Sequence, residues 1–198
     1  MKSLRIDYNA PVVLTFSLIC TSVYILSYVF GGDVADNPNG IIGNLFVLPG
    51  DWQWNHWLNY FRLFSYTMGH ANTDHIVGNM SIFLLIAPIM EEKYGSRNIL
   101  IMMVLTSLIT AFFQILLFST GLLGASGIVF MFIVLVSFAD AKDGTIPLTF
   151  ILVVLFFVGK EIWGAMQHDN VSQYAHIAGG ILGGVFGFAA PSVKNSKL

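Results

Sequence analysis

Residues 11–30 contain no charged side chain, and five more apolar stretches follow, at 75–90, 98–120, 121–139, 145–166 and 171–190. A chain that repeats this pattern cannot cover itself with a water-facing surface. Only 10% of its residues are charged and 56% are hydrophobic, whereas a soluble domain carries about 25% charged residues. Lipid must therefore be the solvent for most of it. A helix crosses the hydrocarbon core with about 20 mostly apolar residues, so the pattern predicts an all-α integral membrane protein: a six-transmembrane-helix bundle forming one domain over residues 1–198. The first run is too long for the apolar core of a signal peptide and lacks a small-residue cleavage site, so it is read as a retained span. The fifth run carries Lys160 and Glu161 near its end, which must snorkel or sit in the interface.

The basic residues orient the bundle. Under an alternating topology Lys2, Arg5, Lys93, Arg97, Lys142, Lys194 and Lys197 fall on one side, and only Arg62 and Lys160 on the other. The basic side is cytoplasmic. Both termini are then expected in the cytoplasm of a bacterial inner membrane, with spans two, four and six running inward from the outer face. The one long connection, residues 31–74, lies outside. Its run "DWQWNHW" places Trp52, Trp54 and Trp57 near Tyr60 and Phe61, which suits a segment lying in the headgroup region.

Polar side chains inside spans are costly and are functional candidates by default. Ser126 lies near the start of span four. His75 and Asn79 lie in the first turns of span two, where i, i+4 spacing stacks them on one face. His176 lies in the second turn of span six. Three helices entering from the same side thus bring polar groups to one depth. A serine hydroxyl becomes a nucleophile when a histidine takes its proton. Backbone N–H groups at a helix start, with side-chain donors such as His75 and Asn79, can hold a developing oxyanion. Gly124 and Gly127 bracket Ser126, and Gly179 and Gly183 follow His176 on its own face. Small residues at this spacing are the usual means of tight helix packing in lipid.

Other readings are bounded by the same residues. A net charge of -2 offers no basic face for nucleic acid, and Cys20, the single cysteine, excludes an internal disulfide. His70, Asp74 and His75 suggest a metal site only weakly, because adjacent helical residues point apart and no third histidine has helical spacing; no metal is expected. His56, His70 and His168 are expected to be solvated or interfacial. Glu91 and Glu92 are expected to be solvated loop charges, with Glu91 able to tie a loop down.

Together these residues resemble the rhomboid family of intramembrane serine proteases. The matching stretches are "GASG" around Ser126, "HIVGN" from His75 to Asn79, "AHIAGGILG" from Ala175 to Gly183, "EEKYGS" after span two, and Arg62. The resemblance runs from about Tyr60 to Ala190. It implies Ser126 as nucleophile and His176 as base without an acidic third member, and oxyanion donors from Ser126 N–H, His75 and Asn79. It also implies other transmembrane proteins as substrates within the bilayer, no cofactor, and span five as the lateral gate. Two positions depart from the family pattern. Phe130 stands where a tyrosine is frequent one turn after the serine, and Phe61 precedes Arg62 where a tryptophan is frequent. Two alternatives stand beside the enzyme: a catalytically silent relative that binds client helices, and a small transporter. The oligomeric state stays open.

A histidine base acts only when neutral. The rate of cleavage of a model membrane substrate is therefore expected to fall as pH drops from about 8 to about 5 and the imidazole takes up a proton. A flat profile over that range would remove His176 from the role of base.

Overall fold

The computed structural model describes residues 6–34, 37–138, 145–166 and 173–189. Lys2, Arg5, Lys142, His168, Lys194 and Lys197, and the side chains of Lys160 and Glu161, lie outside what is described. Among the described residues eight helices follow one another: α1 (Pro11–Gly31), α2 (Ile41–Phe46), α3 (Trp57–Ser65), α4 (Thr73–Tyr94), α5 (Ser96–Leu117), α6 (Ser126–Val136), α7 (Leu148–Met166) and α8 (Gln173–Ala189). Among the described residues there is no strand, only an isolated antiparallel bridge between Leu48 and Leu122. By length and composition α1, α4 and α5 can each cross a membrane, while α6 and the apolar part of α7, Leu148–Phe157, are shorter.

Helix α6 is shorter than the apolar stretch 121–139. Residues 121–125 are not helical, and Leu122 exchanges backbone hydrogen bonds with Leu48 at 2.9 Å in both directions. Glycines at 121 and 124 carry little helix propensity, so the chain approaches in an extended turn and the helix opens on Ser126 itself. An 11-residue helix is tolerable here because it is sheathed by the others: Ile128, Met131, Phe132 and Leu135 are all buried. A column of rings crosses the bundle at this level, from Phe16 of α1 to Phe83 of α4 to Phe132 of α6, each pair 5.4 Å apart and edge-on. That edge-to-face geometry suits the ring quadrupoles.

The connection expected as one interfacial loop contains α2 and α3. Arg62 fastens them, donating from Nη1 to Asn59 Oδ1 at 2.9 Å and from Nη2 to the Asn44 carbonyl. Ser65 Oγ donates to Leu45 O at 3.0 Å. Trp54, Trp57, Tyr60 and Phe61 are left exposed along this segment. Its far end is pinned by Tyr24 of α1, whose hydroxyl meets Asp33 Oδ1 at 2.8 Å and Thr73 Oγ1 at 2.7 Å.

At the opposite end Glu91 is not a solvated loop charge. Glu91 lies in the last turn of α4 and is buried. Its two carboxylate oxygens accept from the N–H groups of Val12 and Val13, at 3.0 and 2.9 Å. The first N–H groups of a helix have no intrahelical partner, and Ala10 has no side chain to cap α1. Glu91 supplies that cap from another helix, and its charge meets the positive end of the α1 dipole. Two residues on, Lys93 Nζ donates to Phe138 O at 2.6 Å, just past the C-terminal end of α6, where a cation is favoured. Glu92 between them is exposed. Glu91→Ala is expected to lower stability by about 1–3 kcal/mol, because it leaves one buried and one half-buried donor unpaired. Glu91→Gln, which keeps one neutral acceptor, should lose less. Thermal unfolding in detergent of the two variants against the parent measures both.

Candidate functional site

Ser126 is the first residue of α6, so its N–H is one of the orphan donors at a helix start. The residues before it set its position. Gly124 has φ +114°, a conformation that residues with a Cβ rarely adopt. A Cβ there would lie 2.6 Å from both Cε1 and Nε2 of His75. The imidazole of His75 thus rests directly on the ledge that leads into Ser126. Gly124 was expected to admit a neighbouring helix; what it admits is this ring.

His75 is held at its other edge. The N–H of Ala71 donates to Nδ1 at 3.4 Å, which assigns the proton of the neutral ring to Nε2, the atom facing the ledge. Its helix is started by Asn72, whose side chain accepts from His75 N at 2.9 Å. One turn further along α4, Asn79 is only 8% exposed, and its Nδ2 has no hydrogen-bond partner among the described residues. A buried amide donor left unpaired costs about 1–3 kcal/mol and calls for an explanation.

His176 enters from α8 and is also 8% exposed. Its ring lies flat on Phe130, with centroids 4.1 Å apart and planes inclined by 10°. Phe130 is one turn after Ser126 and shares its side of α6. Phe157 of α7 meets the same ring edge-on at 4.7 Å. The substituted position therefore still stacks on the histidine, as a phenyl ring can, without the hydroxyl a tyrosine would bring.

Glycine brings the two helices together. A Cβ on Gly179 would lie 2.0 Å from Gly127 O, and one on Gly183 would lie 2.3 Å from Met131 O. One on Gly127 would lie 3.2 Å from Ala175 O. The backbones of α6 and α8 are in contact at these points, and the residues next to the Gly127–Ala175 contact are Ser126 and His176. Ser126, His176, His75 and Asn79 are gathered from three helices around one end of the bundle.

One residue of this cluster was misread. His70 was expected to be solvated, yet it is 0% exposed, with its ring edge-on to His75 at 5.0 Å. Burial first, and His75 second, push its pKa down to about 3, so it stays neutral whenever the protein is folded at ordinary pH. The loop between α3 and α4 tucks it inward. In sequence the stretch "GHAN" carries no apolar periodicity, so nothing there separates a buried histidine from a wet one. No group of three metal-binding side chains stands together among the described residues.

These features define an all-helical integral membrane protein with a polar cluster at one end of its bundle. The Rhomboid domain family matches residues 58–192, and the chain belongs to the rhomboid family. It is similar to the rhomboid protease GlpG of Haemophilus influenzae, with 26% identity over 141 residues, which is 70% of this chain and 73% of that protein. It is also similar to the rhomboid protease GlpG of Yersinia enterocolitica, with 25% identity over 130 residues, 66% of this chain and 43% of that protein. The chain thus spans less than half of the Yersinia protein.

The glycine contacts make a prediction that separates glycines by neighbour. Gly179→Ala forces its methyl into a backbone carbonyl and is expected to destabilise by about 1–3 kcal/mol. Gly78, on α4, has nothing within 4 Å of a Cβ, so Gly78→Ala should be neutral or stabilising by up to ~1 kcal/mol. Unfolding midpoints of the two variants check the contrast.

Proposed function

We propose that this protein is an intramembrane serine endopeptidase that cleaves peptide bonds in or near transmembrane segments of other membrane proteins. The observation that carries the reading is the unpartnered Asn79 amide, buried in the same cluster as a helix-opening serine and a histidine packed on the serine's own helix. His176 takes the proton of Ser126 Oγ as the oxygen attacks the scissile carbonyl. The carbonyl oxygen becomes an oxyanion, held by Ser126 N–H, His75 Nε2–H and Asn79 Nδ2–H. His176 then gives the proton to the leaving amine, which departs and leaves an acyl-enzyme. A water, deprotonated by the same imidazole, hydrolyses the ester and restores Ser126. No metal or organic cofactor takes part in this scheme.

The same reading takes the bundle as six spans in a bacterial inner membrane, with both termini cytoplasmic and the site opening toward the outer face. The excess of Lys and Arg on one side of the alternating topology supports that direction, and the exposed Trp54 and Trp57 suit the headgroup region on the other. The names of the two relatives support the activity, and the presence of both serine and histidine speaks against a silent relative.

A fluorophosphonate probe is expected to label the wild type and to fail with Ser126→Ala and His176→Ala. Asn79→Ala should keep substrate binding and lose about 10²–10³ in kcat, the usual cost of one oxyanion donor. Cleavage of a helix-destabilised membrane substrate at the wild-type rate by Ser126→Ala would refute the assignment.

A further inference from the structure

Helix α8 carries two rows of glycine, and only one is explained by packing. Gly179 and Gly183 touch the backbone of α6. Gly180 and Gly184 face another way. A Cβ on Gly180 would meet only Val134 Cγ2, at 3.5 Å, and a Cβ on Gly184 only the ring of Phe150, at 3.7 and 3.9 Å. Both are ordinary contacts with side chains, so a methyl would fit at either site. Glycine inside a helix is disfavoured by about 1 kcal/mol relative to alanine, and here no approaching backbone accounts for it.

What the second row leaves is space. A cavity of about 340 Å³ lies between α6, α7 and α8, with Gly180 and Gly184 in its wall. Val134, Val154 and Ile181 line its length, Phe188 lies at its inner end, and His176 is the single polar side chain, at the opposite end. Helix α7 meets its neighbours here through Phe157 on Phe130 and Phe150 on Phe138 and Phe188.

Shape and polarity select the occupant. From His176 to Phe188 the groove follows α8 for about 18 Å at 1.5 Å per residue, close to one leaflet of a hydrocarbon core about 30 Å thick. A groove about one leaflet long, apolar along its length and polar at one end, matches a single acyl chain of a lipid. The polar end of the groove is also the end at which the helices gather their polar cluster, so an amphiphile lies with its head there and its tail among the phenylalanines.

We propose that this groove is a lipid site that holds one acyl chain of a bilayer phospholipid lengthwise against Gly180 and Gly184. The site stands whether or not Ser126 is a nucleophile. The test uses the full chain in vesicles of phosphatidylethanolamine and phosphatidylglycerol doped with a phosphatidylcholine that carries a diazirine midway along one acyl chain. After irradiation, peptide mass spectrometry is expected to find adducts concentrated on Val134 and Val154, which line the groove and are buried or half-buried. They should exceed those on the outward residues Leu155 and Phe156 by at least fivefold. Gly184→Leu fills the groove from α8, and Val154→Phe fills it from α7 should the first variant fail to fold. Either folded variant should erase the excess while leaving adducts on Leu155 and Phe156. Adducts spread evenly over the lipid-facing residues, or an excess that survives both fillings, would overturn the proposal.

Discussion

The approach of α6 to α8 is the contact on which the rest of the site depends. Two helices ordinarily stand 8–10 Å apart because side chains keep them there. At Gly127 and Gly179 there is no side chain on either helix, and a single methyl on Gly179 would overlap a carbonyl oxygen. That absence lets His176 lie flat on Phe130 rather than reach for it. A histidine on a long lever would sample many rotamers. A histidine on a helix locked by backbone contact, with its ring stacked at 4.1 Å, does not. Preorganisation of this kind makes a polar group effective in a site with little water.

The contact would be of little use if α6 could slide. The caps at the other end resist that. Glu91 ties α4 to the start of α1, and Lys93 ties α4 to the end of α6. One turn of one helix therefore fixes two others by opposite charges at opposite dipoles. Between these caps and the serine, the column Phe16, Phe83 and Phe132 fills the bundle's width. Because α4 also carries His75 and Asn79, the helix that sets the height of α6 is the helix that carries the polar pair of the cluster. Register at the caps becomes register at the site.

How much of this could be read from the chain depends on where each residue's partner lies. Ser126, His176, His75 and Asn79 stood out because a polar group within an apolar run is conspicuous. Their common depth followed from span direction, which needs only the placement of Lys and Arg. Gly179 and Gly183 were legible from spacing. His70 was not, because it sits in a polar loop, and burial there is decided by how the loop folds back on His75. Glu91 was misread for the same reason: its partners, Val12 and Val13, are some eighty positions away. The start of α6 was blurred by hydrophobicity, since Leu122 and Leu123 are as apolar as the helix that follows. Only the pairing of Leu122 with Leu48, again distant in sequence, shows that the chain is not yet helical. Local pattern reports which residues are out of place, and long-range contact decides what they do.

The paired glycines of α8 show why a family motif need not have one meaning. Each adjacent pair, 179–180 and 183–184, puts one glycine against the α6 backbone and the next about 100° around the helix, on the wall of the groove. The first of each pair is intolerant of a methyl and the second is not. A helix that only had to approach its neighbour would keep the first and replace the second with alanine, which gains helix propensity. Keeping both leaves open space along the face of α8 that begins at His176, beside the imidazole stacked on Phe130. Tight packing on one side of α8 and room on the other are then two properties of the same short repeat. The histidine lies where they meet.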